Sequence, residues 1–208
     1  RYGHSACLTD AVDCIVARVR CLVSPAHVSW ERLAISLYTK ALKSLQAALD
    51  SLTQRLTPDI LCVTEILALY ELLNPSVENT WAKHAAGAAY IIFLQGPQGY
   101  EHEFEKTLFM SHLGQIISES IVNNKECFLE QPSWKQTMRS MIIENGAAPE
   151  RSAMVISLLI HMTLIPRLFR DVTEAICNRT SSSTVGADEL KCRASRLRAS
   201  LQCWRWDY

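Results

Sequence analysis

The chain has 208 residues, long enough to bury a sizeable core without disulfide or metal staples. Its hydrophobic fraction of 49% and charged fraction of 20% are those of a globular interior with an ordinary surface, which excludes disorder. Lysine plus arginine and aspartate plus glutamate both number 21, so the chain lacks the basic excess of a domain that grips nucleic-acid phosphates.

The hydrophobic period is helical almost from end to end. Leu8, Val12, Ile15, Val19 and Leu22 share one face of a first helix that stops near Ser24-Pro25, with Cys7, Cys14 and Cys21 recurring on its flank. A second helix from about Trp30 carries Leu33, Leu37, Ala41, Leu45, Ala48 and Leu52 as its apolar stripe. Thr57-Pro58-Asp59 is a start signal: Thr57 caps, Pro58 suits the first turn, and Asp59 suits the positive end of the helix dipole. The third helix, to about Leu73, is apolar around much of its girth and is expected at the centre; Asn74-Pro75 ends it. Asn79 or Thr80 caps a fourth helix from Trp81 to Gln95, whose small middle, Ala85 to Ala89 around Gly87, allows close approach of a neighbour; Gly96-Pro97 stops it.

A fifth helix spans about His102 to Asn123. Pro132-Ser133-Trp134 opens a short sixth, to about Glu144. Pro149-Glu150 opens a seventh that runs past Phe169, with Pro166 as a kink. Ser181 to Thr184 reads as a flexible loop before a last helix, Ala187 to Trp204, with Leu190, Ala194, Leu197, Leu201 and Trp204 on one face. No alternating strand occurs. The expected fold class is all-α: about eight helices in a single antiparallel bundle or a helix-hairpin array, forming one domain over 1–208.

Chemistry-bearing signatures are sparse. No Walker loop, G-x-G-x-x-G, G-x-S-x-G or H-E-x-x-H is present. Eight cysteines include no C-x-x-C pair and fit no zinc module, so they read as reduced packing residues, and no metal or cofactor is expected. The Cys7, Cys14, Cys21 row read as a redox sensor would need exposed, low-pKa thiols. The apolar run Met154 to Ile165, interrupted by His161, is too short to span a bilayer. Lys191, Arg193, Arg196, Arg198 and Arg205 form a basic run read as a solvated helix face. His84 reads either as a ligand-orienting or acid/base group or as a hydrogen-bonded core histidine, and Glu71 either as a site carboxylate or as a partner to a neighbouring helix.

The text from Asp59 to Gly96 is the most specific in the chain, with Leu69, Tyr70, Glu71, Trp81, His84, Gly87, Ala88 and Gly96 in fixed order. It resembles the fungal-specific transcription factor domain that lies downstream of a Zn2Cys6 binuclear cluster; the likeness extends over 41–134. The resemblance implies an all-α regulatory domain of a nuclear transcription factor, often one governing metabolic genes such as those of secondary metabolism. It implies a domain that restrains or transmits activation, sometimes through a small metabolite. The six-cysteine zinc cluster is missing from this chain, whose Arg-Tyr-Gly-His start reads as internal to a longer protein; either the cluster lies elsewhere in that protein or the protein never had one.

The site expected from the likeness is a junction of Tyr70, Glu71, Trp81 and His84, lining an effector pocket or forming solid core. Its expected partners are a small-molecule effector and a second copy or another protein, with no direct contact to nucleic acid and none to membrane. The alternative is a metabolic enzyme of isomerase or cyclase type, derived from the same helical domain, with His84, Glu71 and Tyr70 as its acid/base groups.

Overall fold

A computed structural model describes residues 5–24, 28–74, 80–144, 146, 148–177 and 186–208. Among these residues the chain forms nine α-helices, two 3-10 turns and no strand. The all-α expectation holds. Pro25, Pro75, Asn79 and the Ser181–Thr184 stretch lie outside the described residues. The helices fall into two compact units, Arg1–Gly99 and Tyr100–Tyr208.

The first unit contains α1 (Ala6–Val23), α2 (Val28–Asp50), α3 (Pro58–Leu72) and α4 (Thr80–Gln95). Tertiary bonds fix their directions. Asp10, early in α1, meets Lys40 and Ser44, late in α2, so those helices are antiparallel. Arg18, late in α1, reaches Leu73 at the end of α3, so α1 and α3 run the same way. Gln95 at the end of α4 donates to Leu56 O before α3 at 2.8 Å, so α4 runs against α3. The result is an up-down-up-down bundle with α3 at its centre, packed on all three others.

Burial explains that place. Ile60, Leu61, Val63, Thr64, Leu67, Ala68, Tyr70 and Glu71 are buried, so α3 has no wide solvent face. The helix starts as its sequence requires, with Pro58 in the first turn and Asp59 beside it, although the Thr57 side chain makes no capping bond. Two stripes shift from expectation. In α1 the buried track is Cys7, Ala11, Cys14 and Arg18, while Val19 and Leu22 are exposed. Cys7 and Cys14 are therefore core packing while Cys21 is half-buried, and of the expected aliphatic stripe only Leu8 is buried. In α2 the buried track is Ala34, Ala41, Leu45 and Ala48; Leu33 and Leu52 are exposed, and the helix ends at Asp50. Small residues dominate both tracks because α1 and α2 lie close along their lengths.

Gly87 is not the point of close approach that its neighbours suggested. It is exposed, and a Cβ there would meet nothing within 4 Å. The close contact is made by Ala85, Ala88 and Ala89, which are buried. Gly96 does end α4, at a positive φ of 74° that favours glycine.

The second unit contains α5 (Glu103–Val122), α6 (Pro132–Ser140), α7 (Ala153–Met162), α8 (Ile165–Cys177) and α9 (Ala187–Asp207), with 3-10 turns at Phe128–Glu130 and Pro149–Arg151. Trp134, 2% exposed, is the hub, with the rings of Phe128, Phe109 and Tyr100 at centroid distances of 5.0, 5.7 and 6.2 Å. The single kinked helix expected after Pro149 is two helices. Pro149 only opens a 3-10 turn, and Ser152 caps α7 by accepting from Val155 N at 3.3 Å. The chain turns at Thr163–Leu164, because Pro166 has no N–H to continue the ladder of α7. Likewise α6 ends at Ser140, short of Glu144. Taken as one stretch, Ala153–Cys177 passes for a membrane-crossing helix by length and composition alone. The turn divides it, however, and Arg167, Arg170, Asp171 and Glu174 of its second half are engaged in ion pairs.

Two buried carboxylates pin these units from within. Asp10 is met by Lys40 Nζ at 2.8 Å and by Ser44; Asp171 of α8 is met by Arg193 of α9 at 2.6 Å and by Arg170 at 2.9 Å. Burial pushes both pKa values up, but the hydrogen bonds and cationic charge outweigh it and leave both carboxylates below the ordinary value. A depressed folded pKa stabilises above the unfolded pKa and is lost as pH falls through the folded one. The urea midpoint should therefore fall as pH drops below about 4, the unfolded aspartate value. Asp10→Asn with Asp171→Asn should be less stable at pH 7 and lose part of that acid slope. An unchanged slope in the double variant would place the acid sensitivity elsewhere.

Candidate functional site

The sequence singled out Tyr70, Glu71, Trp81 and His84. The fold brings three of them together around a residue that the sequence did not flag. Glu71 lies in the last turn of α3, only 8% exposed. Its Oε1 accepts from the Tyr38 hydroxyl of α2, and its Oε2 accepts from the Thr80 hydroxyl, the first residue of α4. Tyr38 Oη also lies 3.3 Å from His84 Nε2 on α4. The Tyr38 ring stacks on Tyr70, with centroids 4.4 Å apart and planes 5° from parallel. One carboxylate thus ties α2, α3 and α4 together.

The proton inventory is determined by this arrangement. Tyr38 has one hydroxyl hydrogen and gives it to Glu71, so its oxygen can only accept from His84. The His84 tautomer is therefore the one carrying hydrogen on Nε2. Burial lowers the His84 pKa, opposed by the Glu71 charge, so the imidazole is neutral at pH 7. Burial, then the hydrogen bond and charge of Glu71, pushes the Tyr38 phenol far above its ordinary value. Tyr70 is pushed up to about 12, chiefly by burial. Cys14, buried on α1, is pushed up to about 12 by burial and then by the Glu71 charge. Cys7 is likewise raised to about 11, by burial first and then by Asp10. Thiols of that kind are neutral and hidden, the opposite of what a redox sensor needs.

Arg18 completes the end of α3. It is 8% exposed and donates from Nε and Nη2 to Leu73 O at 3.0 and 2.6 Å, and from Nη2 to Asn74 Oδ1 at 3.3 Å. A cation at the carbonyl end of a helix opposes the negative pole of its dipole. All three neighbouring helices therefore converge on the last turn of α3.

Trp81 stands apart. It is half-buried, and among the described residues no hydrogen bond or ring stacking joins it to Tyr70, Glu71 or His84. Thr80, read from sequence as a cap, spends its hydroxyl on Glu71 instead. His161 is half-buried on α7 in the other unit. Among the described residues no group of three or more histidine, cysteine, aspartate or glutamate side chains is arranged to hold a metal ion. Tyr38 was missed because it lies one residue past Leu37, off the apolar stripe read for α2; its one sequence signal is the spacing to Ala34, Ala41 and Leu45, which places it on the buried side.

Removing the Tyr38 hydroxyl while keeping its ring isolates the polar contribution. Tyr38→Phe should cost about 1–3 kcal/mol, the penalty for stranding a buried acceptor, with the ring stack intact. For a chain of this size that is a fall in Tm of roughly 2–12 °C. Calorimetry checks it; a loss below a few tenths of a kcal/mol would mean that water replaces the hydroxyl.

The family model for the fungal specific transcription factor domain matches residues 4–164. An uncharacterized protein of Emericella nidulans is 27% identical over 169 residues, covering 80% of this chain and 33% of that protein. The chain therefore spans about a third of the length of that relative. No solved structure matches the chain.

Proposed function

The chain belongs to the fungal specific transcription factor domain family, and from that membership we propose that it is the regulatory part of a nuclear transcription factor whose DNA-reading module lies elsewhere in the protein. In this reading it contacts no nucleic acid itself. It acts through a small-molecule effector and through a second copy or another protein, on genes of metabolism, secondary metabolism among them. The 208 residues work as one regulatory domain, with the Glu71 junction as its switch.

The observation that carries the proposal is the convergence of Tyr38, Thr80 and His84 on one buried carboxylate. Such a node has two states. With both hydroxyls on Glu71, α2 and α4 are held to α3; a ligand that supplies its own donor to Glu71, or takes the place of Thr80, releases α4. Trp81, one residue beyond Thr80, moves with that release and lends an aromatic face to the ligand. The differential contact between the two states is what lets an effector shift the balance.

The enzyme reading, with His84, Glu71 and Tyr70 as acid/base groups and Trp81 as a stacking face, is less well supported. Both Glu71 oxygens already accept from protein hydroxyls, and Trp81 bonds to none of the other three. A carboxylate satisfied in this way is a poor general base until something displaces its donors.

The test is genetic and biophysical together. Tyr38→Phe and Glu71→Gln, placed in the full-length protein at its own locus, should change transcript levels of the genes it governs several-fold at unchanged protein abundance. A metabolite panel screened by thermal shift should raise the Tm of the wild-type protein and leave that of Glu71→Gln unmoved, since a ligand stabilises only the state that it binds. Unchanged transcripts in both variants would overturn the switch. Turnover of a metabolite that Glu71→Gln and His84→Ala abolish would favour the enzyme.

A further inference from the structure

The basic run of α9 lies beyond the family match, which ends at residue 164, and needs its own account. Arg193 is committed to Asp171, and Lys191 pairs with Asp188 at 3.4 Å. Among the described residues the rest of the run makes no ion pair, although the Glu189 charge acts on Arg196. Arg196 rests on Cys192 Sγ at 3.0 Å, and Arg198 and Arg205 are exposed with no carboxylate partner among the described residues. From Lys191 to Trp206 the sequence holds no aspartate or glutamate.

These cations border a groove. A recess of about 230 Å³ lies between α9 and the start of α8, and a shallow, open depression of about 400 Å³, formed mostly by α9, adjoins it; Leu168 and Leu197 line both. Leu164 extends the apolar floor at one end and Leu201 at the other. Arg196 stands over the first recess, Arg198 and Arg205 over the second. The carboxylate in the lining, Glu130, already faces Arg167 at 3.6 Å. From Arg193 to Arg205 the groove follows about 18 Å of helix at 1.5 Å per residue, the length of three turns of a partner helix.

We propose that this groove docks an acidic amphipathic helix of a protein partner. Leucines of the partner at i, i+3, i+4 and i+7 fill the floor, and its glutamates or aspartates meet Arg196, Arg198 and Arg205 at the rim. An amphipathic helix seated in an apolar groove is a common recognition mode, and the charge here selects the sign of its partner. Two other occupants fit less well. Nucleic-acid phosphates gain nothing from a leucine floor, and a bilayer meets a convex apolar face better than a recess between two helices. The proposal needs nothing from the regulatory reading of the Glu71 junction, which lies in the other unit.

The test uses the 208-residue chain and a fluorescein-labelled peptide with leucines at those spacings and glutamates on both flanks. Fluorescence anisotropy should give a Kd in about the micromolar range, weakening with salt. Arg196→Glu/Arg198→Glu/Arg205→Glu should weaken it at least about tenfold with an unchanged far-ultraviolet circular dichroism spectrum. If that variant misfolds, Arg198→Gln/Arg205→Gln should still weaken binding severalfold. The same peptide with lysines for glutamates should not bind. Equal binding of both peptides, an unaltered Kd in the folded variants, or no peptide binding at all would overturn the proposal. So would chain that sediments with phosphatidylserine vesicles or shifts duplex DNA while ignoring the acidic peptide.

Discussion

Burying one carboxylate at the end of α3 sets the terms for the rest of the first unit. Desolvating Glu71 costs several kcal/mol unless donors surround it. It also sits at the carbonyl end of its helix, where the dipole is already negative. Both penalties have to be met by other elements: Tyr38 from α2 and Thr80 from α4 supply hydrogens, and Arg18 from α1 supplies positive charge to the last carbonyls of α3. A helix end that would fray in isolation becomes the place where four helices are held in register. The small residues of α1, α2 and α4, such as Ala11, Ala41 and Ala88, make this feasible, since they let the helices approach closely enough for side chains to reach across.

The interior next to Glu71 contains almost no other charge of its sign. Tyr38, Tyr70 and Cys14 all have pKa values raised by burial and by the Glu71 field, so each remains neutral. His84 stays neutral because burial disfavours its cation. The junction is a charged acceptor inside a shell of neutral donors and rings. It is stable with every donor in place and costly with any one removed, because a low-dielectric interior penalises an unpaired polar group.

Much of the fold was legible because apolar spacing and punctuation are local. The central place of α3 followed from its wide apolar girth, and Pro58 and Gly96 marked ends that the structure retains. Tyr70, Glu71 and His84 stand out in the sequence through their order, and each of them contacts Tyr38. What escaped was relational. Tyr38 is 33 residues from Glu71, and nothing local distinguishes its hydroxyl from any other. Thr80 has the look of a cap because hydroxyls at helix starts usually are caps; only tertiary structure shows that its hydrogen goes to another helix. In α1 the error was one of stripe. Val and Leu outrank Cys and Ala in hydrophobicity, yet a close helix pair selects the small side chains for its seam and turns Val19 and Leu22 outward. Pro166 was read as a kink, but a proline in the first turn of α8 is equally compatible with a new helix, and only the Thr163–Leu164 turn decides between them.

The second unit meets a similar problem with different chemistry. Asp171 is as buried as Glu71, but its partners are guanidinium groups, Arg193 from α9 and Arg170 from its own helix. Hydroxyl donors are neutral and hold geometry without adding field, whereas arginines add charge that has to be matched in turn. Arg170 therefore also engages Glu126 and Glu174, and a lattice of ion pairs spreads over α8. Beneath that lattice α9 buries little: Leu190 is its one buried residue among those described, and Trp204 is tied by a hydrogen bond from Nε1 to Met154 O at 2.9 Å. A helix docked by ion pairs and half-buried leucines keeps apolar surface and cationic charge available along the same line. In α3, by contrast, most apolar side chains are spent on its three neighbours, and Leu69 and Leu72 near its end are the large ones left exposed. Glu71 and Asp171 are thus satisfied in different ways, the one by neutral hydroxyls from neighbouring helices and the other by guanidinium groups that carry the network outward to Glu126 and Glu174.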